Sequence, residues 1–329
     1  MKLAELIGDA PAVVMIGMCK NAGKTTAMNS LITELAEENS RTIALTSIGR
    51  DGESRDLVTG TDKPAIYMNE GMLAATAESL LSVCDASREI LGLPEMYTSM
   101  GQVVIFKARS DGFVQLAGPS IVDQMSELRK WFRSFGADCT IIDGALSRRS
   151  PAAAAKDGAC ILSTGASLDR DINTVVDETA FVAELLTLPE MDSGETADMR
   201  FTVFDGDEIK AADEVGDLNL ILKERGRKDI LVSVKGAFTD SHAQGILKGG
   251  SDKEGITILA DDSSKYLLKR GSYDLLKTHG VTFAVRANAR LAAITVNPVS
   301  AGGWRFDDKE LLEKMRGRVS VPVLDVKAK

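Results

Sequence analysis

An α/β fold with a mostly parallel sheet is predicted by three features of this sequence. Short β-branched and aliphatic runs alternate with longer stretches of helical periodicity. Strands separated by helical crossovers pair in parallel, because a tight hairpin cannot join them. The 329 residues, 44% hydrophobic and 26% charged, have ordinary globular usage and correspond to about two domains.

In chain order, strands are expected at residues 12–16, 42–46, 102–106, 139–142 and 159–162, each a short aliphatic run. Helical patterns lie at 24–37, 69–91, 121–135 and 172–186, so helices are expected on both faces of the sheet. Within the second, residues 73–91 carry apolar positions at three- and four-residue spacing and read as a core-facing helix. The stretch TLPEMDSGETADM at 187–199 is acidic, with proline, glycine and serine, and is the expected linker. Beyond it, strands fit 201–204, 230–234, 256–259, 281–285, 292–296 and 321–326. The expected organisation is a nucleotide-binding domain over 1–186 and an α/β region of unassigned role over 200–329. Whether that second half stands apart or extends the first sheet is open at this point.

Thirty-nine basic residues against forty-eight acidic give a net charge of −9, which argues against a nucleic-acid-coating protein. No apolar run approaches the roughly 20 residues of a membrane span. In MKLAELIGDAPAVVMIG, acids precede the apolar stretch, the wrong order for a signal peptide, so a cytoplasmic protein without membrane partners is expected. The four cysteines, Cys19, Cys84, Cys139 and Cys160, form no CxxC pair, and three of them read as small buried hydrophobes. With only His242 and His279 available, a zinc site or a Ser-His-Asp triad has little material.

One motif carries most of the functional information. The apolar run 12–16 leads into Gly17-Met18-Cys19-Lys20-Asn21-Ala22-Gly23-Lys24-Thr25-Thr26 and then into a helix. The backbone N–H groups of such a loop and of the helix N-terminus converge on one spot, an anion site suited to phosphates. This makes the sheet one of P-loop NTPase type. Gly17, Asn21, Ala22, Gly23, Lys24, Thr25 and Thr26 are the expected nucleotide contacts. Lys24 would reach the β/γ-phosphates, and the Thr25 hydroxyl would ligate Mg²⁺. The usual Walker A form, G-x-x-x-x-G-K-[ST], would carry glycine at Met18; here the glycine is one residue earlier.

Two acidic segments extend the motif. Residues 139–143 read Cys-Thr-Ile-Ile-Asp, a short apolar strand ending in a carboxylate, so Asp143 is expected to contact magnesium. The segment 47–53, SIGRDGE, follows the second strand with glycines flanking an Arg-Asp pair. There Asp51 is a second candidate to ligate magnesium or orient an attacking water. Weaker signals are Arg109-Ser110-Asp111-Gly112, Ser120 as a helix N-cap, the charged run Ser147-Arg148-Arg149-Ser150, and Ser163 to Ser167 at a strand end. The loop-like string from Asn297 to Trp304 reads as a turn.

No Asn-Lys-x-Asp string is present, which favours ATP over GTP. The second threonine after the lysine, with the asparagine three residues before it, resembles the SIMIBI class of P-loop proteins. Many dimerising members of that class carry a signature lysine where this chain has Cys19, with Lys20 one place off, so action in trans by Lys20 is not expected. A homo-oligomer remains compatible with the sequence. The strings GMCKNAGKTT, TSIGRDGE, SDGFVQLAGPS, IIDGALSR and ILSTGAS, in that order, resemble the ATPase subunit of the lysine 5,6-aminomutase reactivating factor over about residues 12–167. The resemblance implies an ATP- and Mg²⁺-dependent protein that repairs a cobalamin-dependent aminomutase together with a MutS-like partner subunit. It carries over no cobalamin motif, and neither histidine lies in an Asp-x-His-x-x-Gly string.

Three functions fit these residues. The first is an ATPase that remodels or reactivates a partner protein. The second is an ATP-dependent small-molecule ligase or kinase of the dethiobiotin-synthetase type, and the third a nucleotide-binding adapter without meaningful turnover. Added protein should stimulate the first and an added metabolite the second, whereas the third should tolerate loss of Asp51 or Asp143.

Overall fold

The computed structural model describes residues 1–48, 66–144, 155–194, 196–250 and 252–325. The chain divides into two units, Met1–Ala183 with Ala289–Lys329, and Glu184–Asn288.

The first unit opens with α1 (Leu3–Ile7), β1 (Ala12–Gly17), α2 (Lys24–Glu38) and β2 (Ile43–Ser47). A strand-rich stretch follows: β3 (Ile66–Met68), β4 (Leu73–Ala77), β5 (Arg88–Gly92), β6 (Tyr97–Thr98), β7 (Gly101–Ala108) and β8 (Gly112–Val114). Then come α3 (Val122–Ser134), β9 (Cys139–Asp143), β10 (Ala159–Gly165) and α4 (Ile172–Leu186), whose last residues enter the second unit.

The second unit contains β11 (Phe201–Asp205), β12 (Glu208–Ala212), α5 (Val215–Lys223), β13 (Ile230–Val234), β14 (Phe238–Thr239) and α6 (Asp240–Lys248). It continues with β15 (Ile256–Ala260), β16 (Tyr266–Leu267), α7 (Arg270–Thr278) and β17 (Thr282–Val285). The chain then returns to the first unit as β18 (Arg290–Asn297), α8 (Asp308–Arg316) and β19 (Val323–Asp325).

The large sheet has the order β19-β18-β10-β1-β9-β2-β4-β7-β5, with β6 paired to β7. Every pairing from β19 across to β4 is parallel. The far edge, where β7 meets β4, β5 and β6, is antiparallel. The fold is therefore α/β with a largely parallel sheet, as the sequence predicts. All six residues of β1 are buried, which explains its unbroken apolar run: a strand covered on both faces needs no alternation. On α2, Ala27, Met28, Leu31, Ile32 and Leu35 form one buried stripe, which packs with Val13 and Met15 of β1 in the core.

Two expectations are corrected. The helix expected over 69–91 is instead β4, a 3₁₀ turn at Glu78–Val83, and β5. Its alanines favour a helix, but β4 is wholly buried between β2 and β7, and sheet pairing outweighs the weak local propensity. The single boundary at 187–199, with everything after 200 in a second region, is replaced by an excursion. β18 pairs in parallel with β10 from Arg290 to Asn297, so the last part of the chain completes the first sheet. The second unit's own sheet runs β12-β11-β13-β15-β17, parallel from β13 to β17.

Candidate functional site

β1 ends at Gly17, at the carboxyl edge of the parallel strands and between β9 and β10. The loop turns back on two residues of left-handed backbone, Asn21 at φ 61° and Gly23 at φ 94°. Gly23 is needed twice over, because a Cβ there would also lie 3.1 Å from Asn297 Cβ. α2 begins at Lys24, and its first bond closes from the Ala27 N–H to the Gly23 carbonyl at 3.0 Å. The amides of Lys24, Thr25 and Thr26 therefore have no acceptor within the helix and carry the positive end of its dipole.

Met18, where the usual motif has glycine, is buried, and its N–H donates to the Ser163 carbonyl at 2.8 Å. This bond pins the start of the loop to β10. Ala22 is also buried, whereas Lys24, Thr25 and Thr26 are half-buried. The Cys19 thiol is pushed up to about 11 by burial, and Cys139 and Cys160 rise to about 11 and about 12 for the same reason. None is a thiolate nucleophile at neutral pH.

Lys24 reaches across to β9. Its Nζ donates to Asp143 Oδ1 and to the Gly144 carbonyl, and both charged side chains are about three-quarters buried. Asp143 sits in register with Met15 of β1 and Ser47 of β2. Its backbone carbonyl accepts the Ile48 N–H at 2.9 Å, and the next amide, Gly144, donates to Met15 at 3.0 Å. Asp143 thus ties together the loop lysine and the end of β2.

Sequence reasoning treated Asn297 only as part of a turn. The structure puts it against the loop: its Nδ2 donates to the Asn21 carbonyl at 3.2 Å, and its own carbonyl accepts the Ala166 N–H at 2.9 Å. Gly165 of β10 lies so close that a Cβ there would be 2.0 Å from the Asn297 oxygen. The signal in the sequence was an asparagine at a strand's end, but its target lies 276 residues away.

The weaker candidates that fall on described residues have identifiable partners. Ser163 accepts from Thr295 Oγ1 at 2.8 Å, and Thr164 shares a 2.7 Å bond with Thr179; all are buried. Asp111 accepts from the Glu70 N–H and the Tyr67 hydroxyl, while Arg109 pairs with Glu89. Ser120 is not the N-cap of α3; Ile121 is, without a side-chain bond. The string after Asn297 forms a turn closed by Ser300 N–H to Trp304 carbonyl at 2.9 Å, with Arg170 stacked 4.9 Å over Trp304. His242 completes the capping box of α6, its Nδ1 accepting the N–H of the N-cap Thr239, and burial holds its pKa below the usual value. Asp51 and Ser147 to Ser150 lie outside the described residues.

Among the described residues, no three His, Cys, Asp or Glu side chains are grouped to hold a metal ion by themselves. A hydroxyl at Thr25 and a carboxylate at Asp143, both adjoining Lys24, are the donor set that fits Mg²⁺. That ion commonly takes one or two protein oxygens and fills the rest with water and phosphate. Among the described residues no helix is long and apolar enough to cross a membrane.

No family model matches the chain, and no curated protein matches it. Among solved structures, the kinase domain of the Escherichia coli tyrosine kinase ETK is similar at 18% identity and a TM-score of 0.29. That match covers 53% of this chain and 64% of the other, less than two thirds of its length.

Proposed function

We propose that this chain is a magnesium-dependent P-loop ATPase whose nucleotide cycle remodels or reactivates a partner enzyme. The observation that supports it is the Lys24 ammonium held between the loop and Asp143, at the carboxyl edge of a parallel sheet. In this reading the amides at the start of α2 and around Asn21, Ala22 and Gly23 hold the phosphates of ATP, with Gly17 ending the strand that leads into the loop. Lys24 leaves Asp143 for the β/γ-phosphates, and Thr26 adds to the polar lining. Thr25 and Asp143 would hold magnesium, which would supply neutralising charge at the phosphate oxygens. Asp51 is a further candidate for magnesium or the attacking water.

The exchange at Lys24 also suggests a switch. When the ammonium moves to phosphate, Asp143 loses its partner, and the Asp143 carbonyl is bonded to the Ile48 N–H. Residue 48 leads directly into the Arg-Asp segment that the sequence marks as a switch. A protein that touches that segment would bind the two nucleotide states with different affinity, which is the requirement for driving it. The resemblance to the aminomutase reactivating factor supports a cobalamin-dependent lysine 5,6-aminomutase as the partner.

The test is phosphate release from Mg-ATP by the purified chain, alone, with the aminomutase and a MutS-like subunit, and with a panel of metabolites. Stimulation by protein is the expected result. Stimulation by a metabolite, with phosphate transferred to it, would replace this reading with the ligase or kinase one.

A further inference from the structure

The second unit carries a crevice of its own, independent of the nucleotide reading. It opens at the carboxyl ends of the parallel strands β13, β15 and β17, where Lys235, Asp261 and Arg286 are the first residues past each strand. Thr202 of β11 lies opposite Ser233 in register and completes the floor. Ligands bind at this edge of open α/β sheets. The cavity measures about 60 Å³, enough for a group of about four or five heavy atoms.

Its donors converge. Arg286 gives one bond from each terminal nitrogen, Nη2 to Ser233 Oγ at 2.8 Å and Nη1 to the Ser193 carbonyl at 3.2 Å. One N–H remains on each, leaving the guanidinium two further donors for an anionic oxygen. Ser233 and Thr202 are buried, and their oxygens accept from Arg286 and from the Ala197 N–H at 3.1 Å. Each hydroxyl proton is therefore available to a second acceptor.

The charges are balanced as well. Arg286 Nε stands 3.5 Å from Asp261 Oδ1, a loose contact that leaves the half-exposed carboxylate capacity for another donor, and Lys235 pairs with Asp198. A dianion would meet the Asp261 carboxylate here, and a simple cation would meet two basic groups. A molecule carrying both charges meets a partner for each.

We propose that this crevice binds a free α-amino acid. Arg286, Ser233 and Thr202 take its carboxylate, Asp261 takes its ammonium, and the small cavity directs its side chain outward.

The test is calorimetric titration of the full chain with each of the common amino acids. Acetate, methylammonium and inorganic phosphate serve as probes of the separate charges, and the titrations are repeated on Arg286→Gln, Asp261→Asn and Lys24→Ala. At least one amino acid is expected to saturate the chain well below about 10 mM, where the three simple ions do not. Arg286→Gln is expected to weaken it about thirtyfold and Asp261→Asn about tenfold, while Lys24→Ala leaves it unchanged. Should Arg286→Gln fail to fold, Asp261→Asn, at a half-exposed position, carries the test. Absence of saturable binding by any amino acid, acetate or phosphate binding as tightly, or undiminished affinity in Asp261→Asn would each overturn the proposal.

Discussion

Lys24 donates to the Asp143 carboxylate and the Gly144 carbonyl at once, so the loop's cation is engaged before any phosphate arrives. An ammonium has three donors and no acceptor. Under the proposed function, phosphate oxygens would compete with Asp143 for it, and magnesium held by the carboxylate would shift that competition toward the nucleotide.

Asp143→Asn separates the two effects. A partly exposed ion pair is worth up to about 1 kcal/mol, so magnesium-free ATP is expected to bind this variant up to about fivefold more tightly. With magnesium, hydrolysis is expected to fall about a hundredfold. Fluorescent-ATP titration with and without the metal, together with a phosphate-release assay, measures both.

Asn297→Ala removes the bond from Nδ2 to the Asn21 carbonyl. One such bond contributes about 1 kcal/mol, so ATP affinity should drop about fivefold with little change in global stability. An unchanged dissociation constant would mean that Asn297 does not position the loop.

Gly165→Ala would press a Cβ to 2.0 Å from the Asn297 oxygen and 3.0 Å from its Cα. Because β10 and β18 are paired along their length, relief requires shifting a strand. A loss of about 1–3 kcal/mol is expected, read as a lower urea midpoint at unchanged slope.

Asp157 provides a pH handle. The bond from Arg129 holds its carboxyl below the usual value, with burial opposing and the charges of Arg129 and Arg133 adding to the effect. A carboxyl whose folded pKa lies below its unfolded one stabilises fully above the unfolded value. That contribution disappears as pH falls through the folded value. The urea midpoint of the wild type should therefore fall between neutral pH and about pH 3 by more than that of Asp157→Asn.

Much of this was legible in the sequence. The apolar runs of β1, β9 and β10 mark buried strands, and α4 falls at Ile172–Leu186 as its periodicity predicts. The strand-loop-helix at Gly17 to Thr26 and the strand ending in Asp143 are local patterns, and local patterns survive in a sequence. What pairs with what is not local. The return of β18 beside β10 skips the whole second unit, and the contact of Asn297 with Asn21 spans 276 residues. β4 failed for another reason: Leu73–Ala77 is buried on both faces, so no alternation distinguishes it from a helix.

Calorimetric titration of the full chain with ATP and GTP in the presence of magnesium, beside Lys24→Ala, decides whether the loop at Gly17 to Thr26 binds a nucleotide. Micromolar binding of ATP by the wild type is expected, weakened at least about a hundredfold in Lys24→Ala because a half-buried charge contact to phosphate would be lost. Wild-type binding that Lys24→Ala leaves intact, or no binding of either nucleotide, would contradict that expectation.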